Sequence, residues 1–195
     1  MVDAALRCIA RWGIAKTTLE DVAREAGCGR ATIYRTFEGG KGAVLRAVLR
    51  REIARLTTAV ETAIVDAESL DDLVVHGAVA AARFVQRHEA LSFLLAHEPD
   101  TVLPHVAFAR MDRLYAAMST FAQPHLVRFL SIDEVPAAAE WTTRIVLSFA
   151  LNPSPLVDLT NEDDARRFLT TFLVPALQPT RAPSLRTTGT APTRS

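Results

Sequence analysis

Two short helical patterns joined by a glycine occupy residues 17–41 and constrain the fold of the chain more than any other feature. At the start of the first pattern, either Thr18 with Asp21 or Thr17 with Glu20 matches a capping box. Apolar residues then recur at the i, i+3, i+4, i+7 spacing that places one apolar stripe on a helix. These residues are Leu19, Val22, Ala23 and Ala26.

The second pattern begins after Gly27, which ends the first helix because glycine enters the left-handed conformation without a steric cost. In this pattern Ile33 and Phe37 turn inward. Two helices crossing at such a turn form a helix-turn-helix, here from Thr18 to Phe37, whose second helix fits a DNA major groove. The residues that the second helix would present outward are small or basic: Arg30, Ala31, Arg35 and Thr36.

The same segment carries a family pattern. The run TLEDVAREAG is followed by RATIYRTF and then by GGK, so that Tyr34, Phe37 and Lys41 stand at a characteristic spacing. Over about residues 2–48 the chain resembles the N-terminal module of the tetracycline-repressor (TetR) family of transcriptional regulators. The resemblance implies a dimeric, all-helical repressor that leaves its operator when a small molecule binds its C-terminal domain.

The rest of the chain has helical patterns and no strand-like alternation of any length. A first helix is expected to end at Gly13. Pro136 suits the first turn of a later helix that reaches Leu151. The other expected helices run from Lys41 to about Ala67, from a Ser69 cap to about Arg87, over 89–97 and over 101–121, from Pro124 to Leu130, and from a Thr160 or Asn161 cap to Leu177.

We therefore predict an all-α fold in which a three-helix, DNA-binding helix-turn-helix domain is joined by a long helix to a helical ligand-binding and dimerisation domain. The predicted boundaries are 1–45 for the first domain and 46–178 for the second. Residues 179–195 contain three prolines, three arginines and no aromatic residue, so they are expected to form a disordered tail.

Charge is divided unevenly along the chain. Residues 1–55 contain eleven Lys or Arg and six Asp or Glu, whereas the whole chain has a formal net charge of 0. A basic first quarter would attract phosphate at one end only, although chance asymmetry would give a similar difference. The longest stretch without charged residues, Leu114 to Val127, is too short to span a bilayer, and no secretory signal opens the chain. These features predict a cytoplasmic protein without membrane contact.

Side-chain chemistry assigns roles to the residues of the helix-turn-helix. Arg30 and Arg35 can each make paired hydrogen bonds to guanine, and Ala31 and Thr32 can lie against a thymine methyl or a phosphate. Hydroxyl and ammonium groups at helix starts suit phosphate contacts. The predicted DNA-binding residues, whose roles match the family pattern, are Thr18, Arg30, Ala31, Thr32, Tyr34, Arg35 and Lys41.

Aromatic, Met and His residues in the second half of the chain fall at helical spacing and would line an effector cavity or form plain core. The family resemblance favours a cavity for part of this set. Small residues between Gly77 and Ala82 indicate either close helix packing or space for a ligand. The predicted pocket residues are Phe84, His88, Phe108, Met111, Tyr115, Met118 and Trp141.

The final two long helical patterns are more apolar than one core face requires. This surplus indicates either a partner surface or full burial within one subunit, and the family implies a symmetric four-helix dimer interface. The predicted interface residues are Ile145, Phe149, Phe168 and Phe172. A dimer would place two recognition helices about 34 to 36 Å apart or farther and would require a palindromic DNA site.

These patterns predict a regulator of transcription, a repressor released from a palindromic double-stranded operator by a small, mostly apolar effector. The alternative is a helical small-molecule binder that has lost DNA binding, suggested by Gly29 and Glu38 and by a start close to the first helix. Gly29 stands where the family has a side-chain cap. The sequence has no hydrolase, metalloprotease or phosphate-loop motif, and Cys8 and Cys28 have no metal-ligand spacing, so we expect no catalytic site, metal or cofactor.

Overall fold

The computed structural model describes residues 1–100 and 111–178, and these residues contain helices but no strands. The all-α prediction is confirmed. Within the described residues, no helix combines the length and the apolar character that crossing a membrane requires. The helices are α1 Val2–Lys16, α2 Leu19–Glu25, α3 Arg30–Thr36, α4 Gly40–Ile64, α5 Leu70–Gln86, α6 Glu89–His97, α7 Met111–Leu126, α8 Val135–Leu151, α9 Glu162–Phe172 and α10 Val174–Leu177.

The head consists of α1, α2, α3 and the first turns of α4, as far as Val48. Its core closes around Ile33, which is fully buried, and around Phe37 at the end of α3. Apolar residues from all four helices meet there because each short helix has a single apolar face. The core residues are Ala4, Ala5, Cys8, Leu19, Val22, Ala23, Ile33, Phe37, Val44 and Val48.

The body consists of α4 beyond Val48 and of α5 to α10. Helix α5 lies at its centre, where Val75 is fully buried and Ala78 nearly so. Helices α4, α8, α9 and α10 all pack on α5, and α7 packs on α8. Helix α4 lies close to α5 at Gly77, where an added Cβ would be in van der Waals contact with Ile64 Cγ2 at 3.4 Å and with Val60 Cγ1 at 3.7 Å.

Helix α6 joins the body to the head by packing along α1, with Ile9, Ala90 and Leu94 buried between them. Gly13 breaks α1 at φ 81° and ψ 173°, as the sequence predicted, but one further turn continues to Lys16. The Glu98 carboxylate at the end of α6 fills the kink, accepting hydrogen bonds from the backbone N–H of Ile14 (3.0 Å) and of Ala15 (3.2 Å).

Several predicted helix boundaries are confirmed. Ser69 caps α5 by accepting from the Asp72 N–H, Pro136 lies in the first turn of α8, and Asn161 caps α9 by accepting from Asp163 and Asp164.

Two boundaries near prolines differ from the prediction. Helix α7 continues through Pro124 to Leu126 rather than restarting there, so Pro124 lies in its last turns. The last helix does not run unbroken to Leu177. Pro175 lacks an N–H for Thr171, so α9 ends at Phe172 and α10 begins with the proline in its first turn, where no donor is needed. The first part of the expected 101–121 helix and the expected disordered tail lie outside the described residues.

Candidate nucleic-acid interface and ligand cavity

Local hydrogen bonds fix both ends of α2. The Thr18 side chain accepts from the Asp21 N–H, and the Asp21 carboxylate accepts from the Thr18 N–H at 3.1 Å, which completes the capping box predicted for this pair. The Thr18 hydroxyl also donates to Asp21 at 2.6 Å, and these bonds hold the pKa of Asp21 below its usual value. At the other end, Gly27 has φ 64°, and the N–H of Cys28 reaches the carbonyl of Ala23 at 3.0 Å. This Schellman arrangement sets the turn between α2 and α3.

Helix α3 is oriented by its buried side. With Ile33 and Phe37 in the core of the head, the opposite side of α3 faces outward. Gly29 precedes α3 without a side-chain cap, as its sequence predicted. The outward residues Arg30, Ala31, Tyr34 and Arg35 are exposed, and Thr32 is half-buried beside them. The structure thus places the predicted α3 residues on one surface.

Glu20 on α2 links two of these residues. Its Oε1 atom accepts from the Tyr34 hydroxyl at 2.8 Å and lies 2.9 Å from the Arg30 guanidinium, which also stands over the Tyr34 ring at 5.5 Å. The Tyr34 hydroxyl holds the pKa of the Glu20 carboxylate below its usual value, and Arg30 acts in the same direction. No local sequence pattern indicates this role of Glu20, because its partners lie on another helix.

The remaining predicted residues flank this surface. Thr18 is exposed at the start of α2. Lys41, in the first turn of α4, donates to the carbonyl of Ala15 at 3.0 Å, so its ammonium is held beside the end of α1. Arg35 makes no hydrogen bond or ion pair with any described residue. It is therefore available to a partner.

Ion pairs neutralise part of the basic charge of the head. Arg7 and Arg11 both pair with Glu25, at 2.6 and 3.3 Å, and Arg51 pairs with Asp3 at 2.8 Å. Within the described part of the chain, the head cations without an acidic partner are Lys16, Arg35, Lys41 and Arg46. Excess positive charge therefore persists in the head, where a polyanion would be attracted.

The body contains a cavity of about 160 Å³ between α4, α5, α7 and α8. Its described wall carries no Asp, Glu, Lys or Arg. Gly77, Ala78 and Ala81 belong to this wall, so the small residues of α5 provide both the close packing and the space that the sequence left as alternatives. The wall comprises Leu56, Thr57, Val60, Ile64, Leu73, Val74, Gly77, Ala78, Ala81, Val85, Leu114, Met118, Phe121, Ala122, His125, Leu126, Ala139, Thr142, Thr143, Val146 and Leu147.

The described cavity wall differs from the predicted pocket. Of the predicted pocket residues, it contains Met118. Trp141 is 60% exposed, because it projects from α8 about 100° away from Thr142. The ring of Tyr115 lies under the Arg144 guanidinium, with 4.4 Å between the ring centroid and Arg144 Cζ. Phe84 and His88 line a separate polar cleft between α1, α4 and α5. Phe108 lies outside the described residues, as does the side chain of Met111.

His88 has a structural role that the sequence did not indicate. Its Nδ1 accepts from the Leu91 N–H at 3.1 Å and thereby caps α6. The proton therefore sits on Nε2, which donates to Glu52 Oε2 at 3.1 Å. Glu52 is 9% exposed, so this pair connects α6 to a buried site on α4.

Three of the four predicted interface residues, Phe149, Phe168 and Phe172, form an aromatic stripe across α8 and α9. Phe168 contacts Phe149 at 5.0 Å and Phe172 at 5.5 Å between ring centroids. Phe149, Phe168 and Ile145 are partly buried against the body core, whereas Phe172 remains 69% exposed. The stripe is therefore neither fully buried within one subunit nor fully exposed to solvent.

Comparisons with known proteins agree with this geometry. Residues 1–48 match the family model of bacterial regulatory proteins, tetR family. Two relatives from Mycobacterium tuberculosis strains CDC 1551 / Oshkosh and ATCC 25618 / H37Rv are each described as an uncharacterized HTH-type transcriptional regulator. Each is 25% identical over 185 residues, which is 93% of this chain and 86% of the relative.

Solved structures share the fold. The TetR family repressor AlkX from Dietzia sp. strain DQ12-45-1b, implicated in biodegradation of n-alkanes, has a TM-score of 0.68 at 21% identity and covers 90% of this chain and 92% of its own. A TetR-like transcriptional regulator from Rhodococcus sp. RHA1 has a TM-score of 0.54 at 18% identity and covers 87% and 89%. Residues 1–48 thus match the tetR family of bacterial regulatory proteins, and the comparisons together support a TetR-type transcriptional regulator with a DNA-binding helix-turn-helix.

Proposed function

We propose that the chain is a repressor that binds a palindromic operator as a homodimer and is released when a small, mostly apolar molecule enters the cavity of the body. The observation that carries this proposal is the α3 surface, where exposed Arg30, Tyr34 and Arg35 stand opposite a buried, fixed face. The description of AlkX as a repressor favours repression over activation.

Each exposed group of the interface is assigned one contact. Arg30 and Arg35 bind guanine edges, because a guanidinium can pair with N7 and O6 together. Ala31 and Thr32 pack near a thymine methyl or a phosphate. Tyr34, Thr18 and Lys41 bind phosphates, with Lys41 exchanging its bond to the Ala15 carbonyl for a stronger bond to a charged oxygen.

The homodimer forms through α8 and α9 of each subunit. A symmetric interface repeats the same patch on both copies, so an exposed ring such as Phe172 meets its counterpart or a neighbour of it. The two heads then lie about 34 to 36 Å apart, or farther by whole turns of the duplex, which explains the palindromic operator. We assign residues 1–45 to the DNA-binding domain and 46–178 to the ligand-binding and dimerisation domain.

Release follows from α4, which both domains share. Leu56, Val60 and Ile64 of α4 line the cavity, whereas Val44 and Val48 of the same helix lie in the core of the head. A ligand that binds better when α4 is displaced favours that displaced state. Because α4 carries the head, the displacement changes the distance between the two recognition helices and removes the fit to successive grooves.

Fluorescence anisotropy with a duplex from upstream of the chain's own gene, at two salt concentrations, tests DNA recognition. We expect Arg35→Ala to weaken specific binding by about fivefold or more, since a bidentate guanine contact contributes about 1–3 kcal/mol of discrimination. Lys41→Ala should weaken specific and non-specific binding alike and lower the salt slope by about one per head. Arg87→Ala, which removes an exposed arginine of the body, serves as the control and should bind normally.

A wild-type chain that binds this duplex no better than a scrambled one at either salt concentration would contradict the proposal. That result would favour the alternative of a helical small-molecule binder without DNA recognition. The absence of a side-chain cap at Gly29 is the structural feature consistent with that alternative.

A further inference from the structure

We propose that the body cavity selects a small neutral molecule that carries one hydrogen-bonding group, and that the Thr142 hydroxyl on α8 is its partner. This inference rests on the proposed function in one respect, namely that the cavity is the effector site. It adds the chemical class of the ligand and the residue that determines specificity.

The polar groups of the wall lead to this assignment. Among the described residues that line the cavity, the polar side chains are Thr57, His125, Thr142 and Thr143. The Thr57 hydroxyl donates to the Ala54 carbonyl at 3.0 Å, so the helix backbone already satisfies it. The Thr143 hydroxyl likewise donates to the Ala139 carbonyl, one turn earlier on the same helix, at 2.7 Å.

Thr142 is the exception. Its Oγ1 atom is buried and has no hydrogen-bond partner among the described residues. A buried hydroxyl without a partner destabilises the folded state, because it has lost its hydrogen bonds to water without replacing them. A ligand that offers one donor or acceptor at this position recovers that free energy on binding, because a hydroxyl can serve in either role.

The described part of the wall favours a neutral ligand over a charged one. No acidic or basic side chain lines the described part of the cavity, so an ionised ligand would enter without a counter-charge. Transfer of an unpaired ion into an apolar environment is far more costly than transfer of a neutral polar group. His125 lies in the wall with its ring 5.4 Å from that of Phe121, and its nitrogens offer a second neutral contact.

Volume sets the size of the ligand. An apolar cavity of about 150 Å³ accommodates benzene. The cavity here, about 160 Å³, therefore suits a ligand of roughly six to ten non-hydrogen atoms. Phenol, toluene and benzoate match this size and differ in their polar group, which makes them suitable probes of the full chain.

Isothermal titration of these three probes against the DNA-free protein tests the proposal. Phenol should bind more tightly than toluene, and benzoate should not bind measurably. Thr142→Val replaces the hydroxyl by a methyl of similar size and should lower phenol affinity by about 5- to 30-fold while leaving toluene binding unchanged. Thr143→Val is the matched control, because the hydroxyl that it removes already bonds to Ala139, and it should change neither affinity.

Thr142→Val should also raise the melting temperature of the ligand-free protein, since it removes a buried hydroxyl without a partner. Equal phenol binding by wild type and Thr142→Val, benzoate binding as tight as that of phenol, or no phenol binding at millimolar concentration would each overturn the assignment. Phenol that binds through Thr142 but leaves DNA binding unchanged would instead refute the effector role of the cavity and leave its ligand chemistry intact.

Discussion

The substitution Gly13→Ala tests the joint between head and body. Gly13 has φ 81° and ψ 173°, a conformation that is essentially restricted to glycine. A Cβ at this position would lie 2.0 Å from Oε1 and 2.7 Å from Cδ of Glu98. The carboxylate would have to leave the kink, and it would lose its hydrogen bonds from the N–H groups of Ile14 and Ala15.

The structure gives the expected magnitude in two parts. Forcing a residue with a side chain into this backbone conformation costs about 1–3 kcal/mol. Displacing Glu98 leaves two N–H groups without a charged acceptor, which costs about 1–3 kcal/mol more. We therefore expect Gly13→Ala to lower the free energy of unfolding by about 2–6 kcal/mol. For a chain of 195 residues this lowers the melting temperature by roughly 4 to 24 °C.

Thermal and urea unfolding, each followed by circular dichroism, measure this effect. Glu98→Ala removes the carboxylate alone and should cost about 1–3 kcal/mol, since the backbone conformation of Gly13 is kept. The double variant should cost less than the sum of the two single changes, because the alanine Cβ no longer meets the carboxylate. A Gly13→Ala protein within about 0.5 kcal/mol of wild type, or strict additivity in the double variant, would refute the reasoning.

Two further changes test the recognition surface and the dimer. Glu20→Gln removes the charge that pairs with Arg30, so binding to a scrambled duplex should strengthen by up to about fivefold and the specificity ratio should fall. An unchanged ratio in anisotropy titrations would exclude this role. Phe172→Glu places a charge in the aromatic stripe and should shift the chain to monomer in sedimentation velocity. The control variant is Leu49→Glu, which changes another strongly exposed apolar residue, on α4, and should leave the dimer intact. If both variants were monomeric or both were dimeric, the proposed interface would be contradicted.

Local sequence rules identified the head because its decisive interactions are short in range. The Thr18 and Asp21 capping box, the left-handed Gly27 and the inward pair Ile33 and Phe37 all depend on residues within one or two helical turns. Such spacing is visible in a single sequence. The confirmed boundaries of α2 and α3 follow from this.

Contacts between helices were beyond the reach of the same rules. Glu20 meets Tyr34 only because α2 and α3 cross at a particular angle, and no periodicity encodes that contact. In the body, helices such as α8 are apolar on more than one side, so residue type did not reveal which side faces the cavity. Helical spacing of aromatic residues therefore predicts Trp141 in the wall, whereas the adjacent Thr142 carries the buried hydroxyl.

The same long-range contacts bear on the proposed release from DNA, because they connect α4, which lines the cavity, to α1 of the head. Helix α6 is attached at both ends: its first residue follows His88, which bonds to Glu52 on α4, and its last precedes Glu98, which bonds to α1. A displacement of α4 therefore moves α6 with it or breaks the bond between His88 and Glu52. Hydrogen bonds to charged groups contribute about 1.5–3 kcal/mol, and coupling between allosteric sites amounts to about 1–3 kcal/mol. Under the proposed release, one such contact is therefore strong enough to couple the cavity to the head, and α6 would offer a second connection to α1 beside α4.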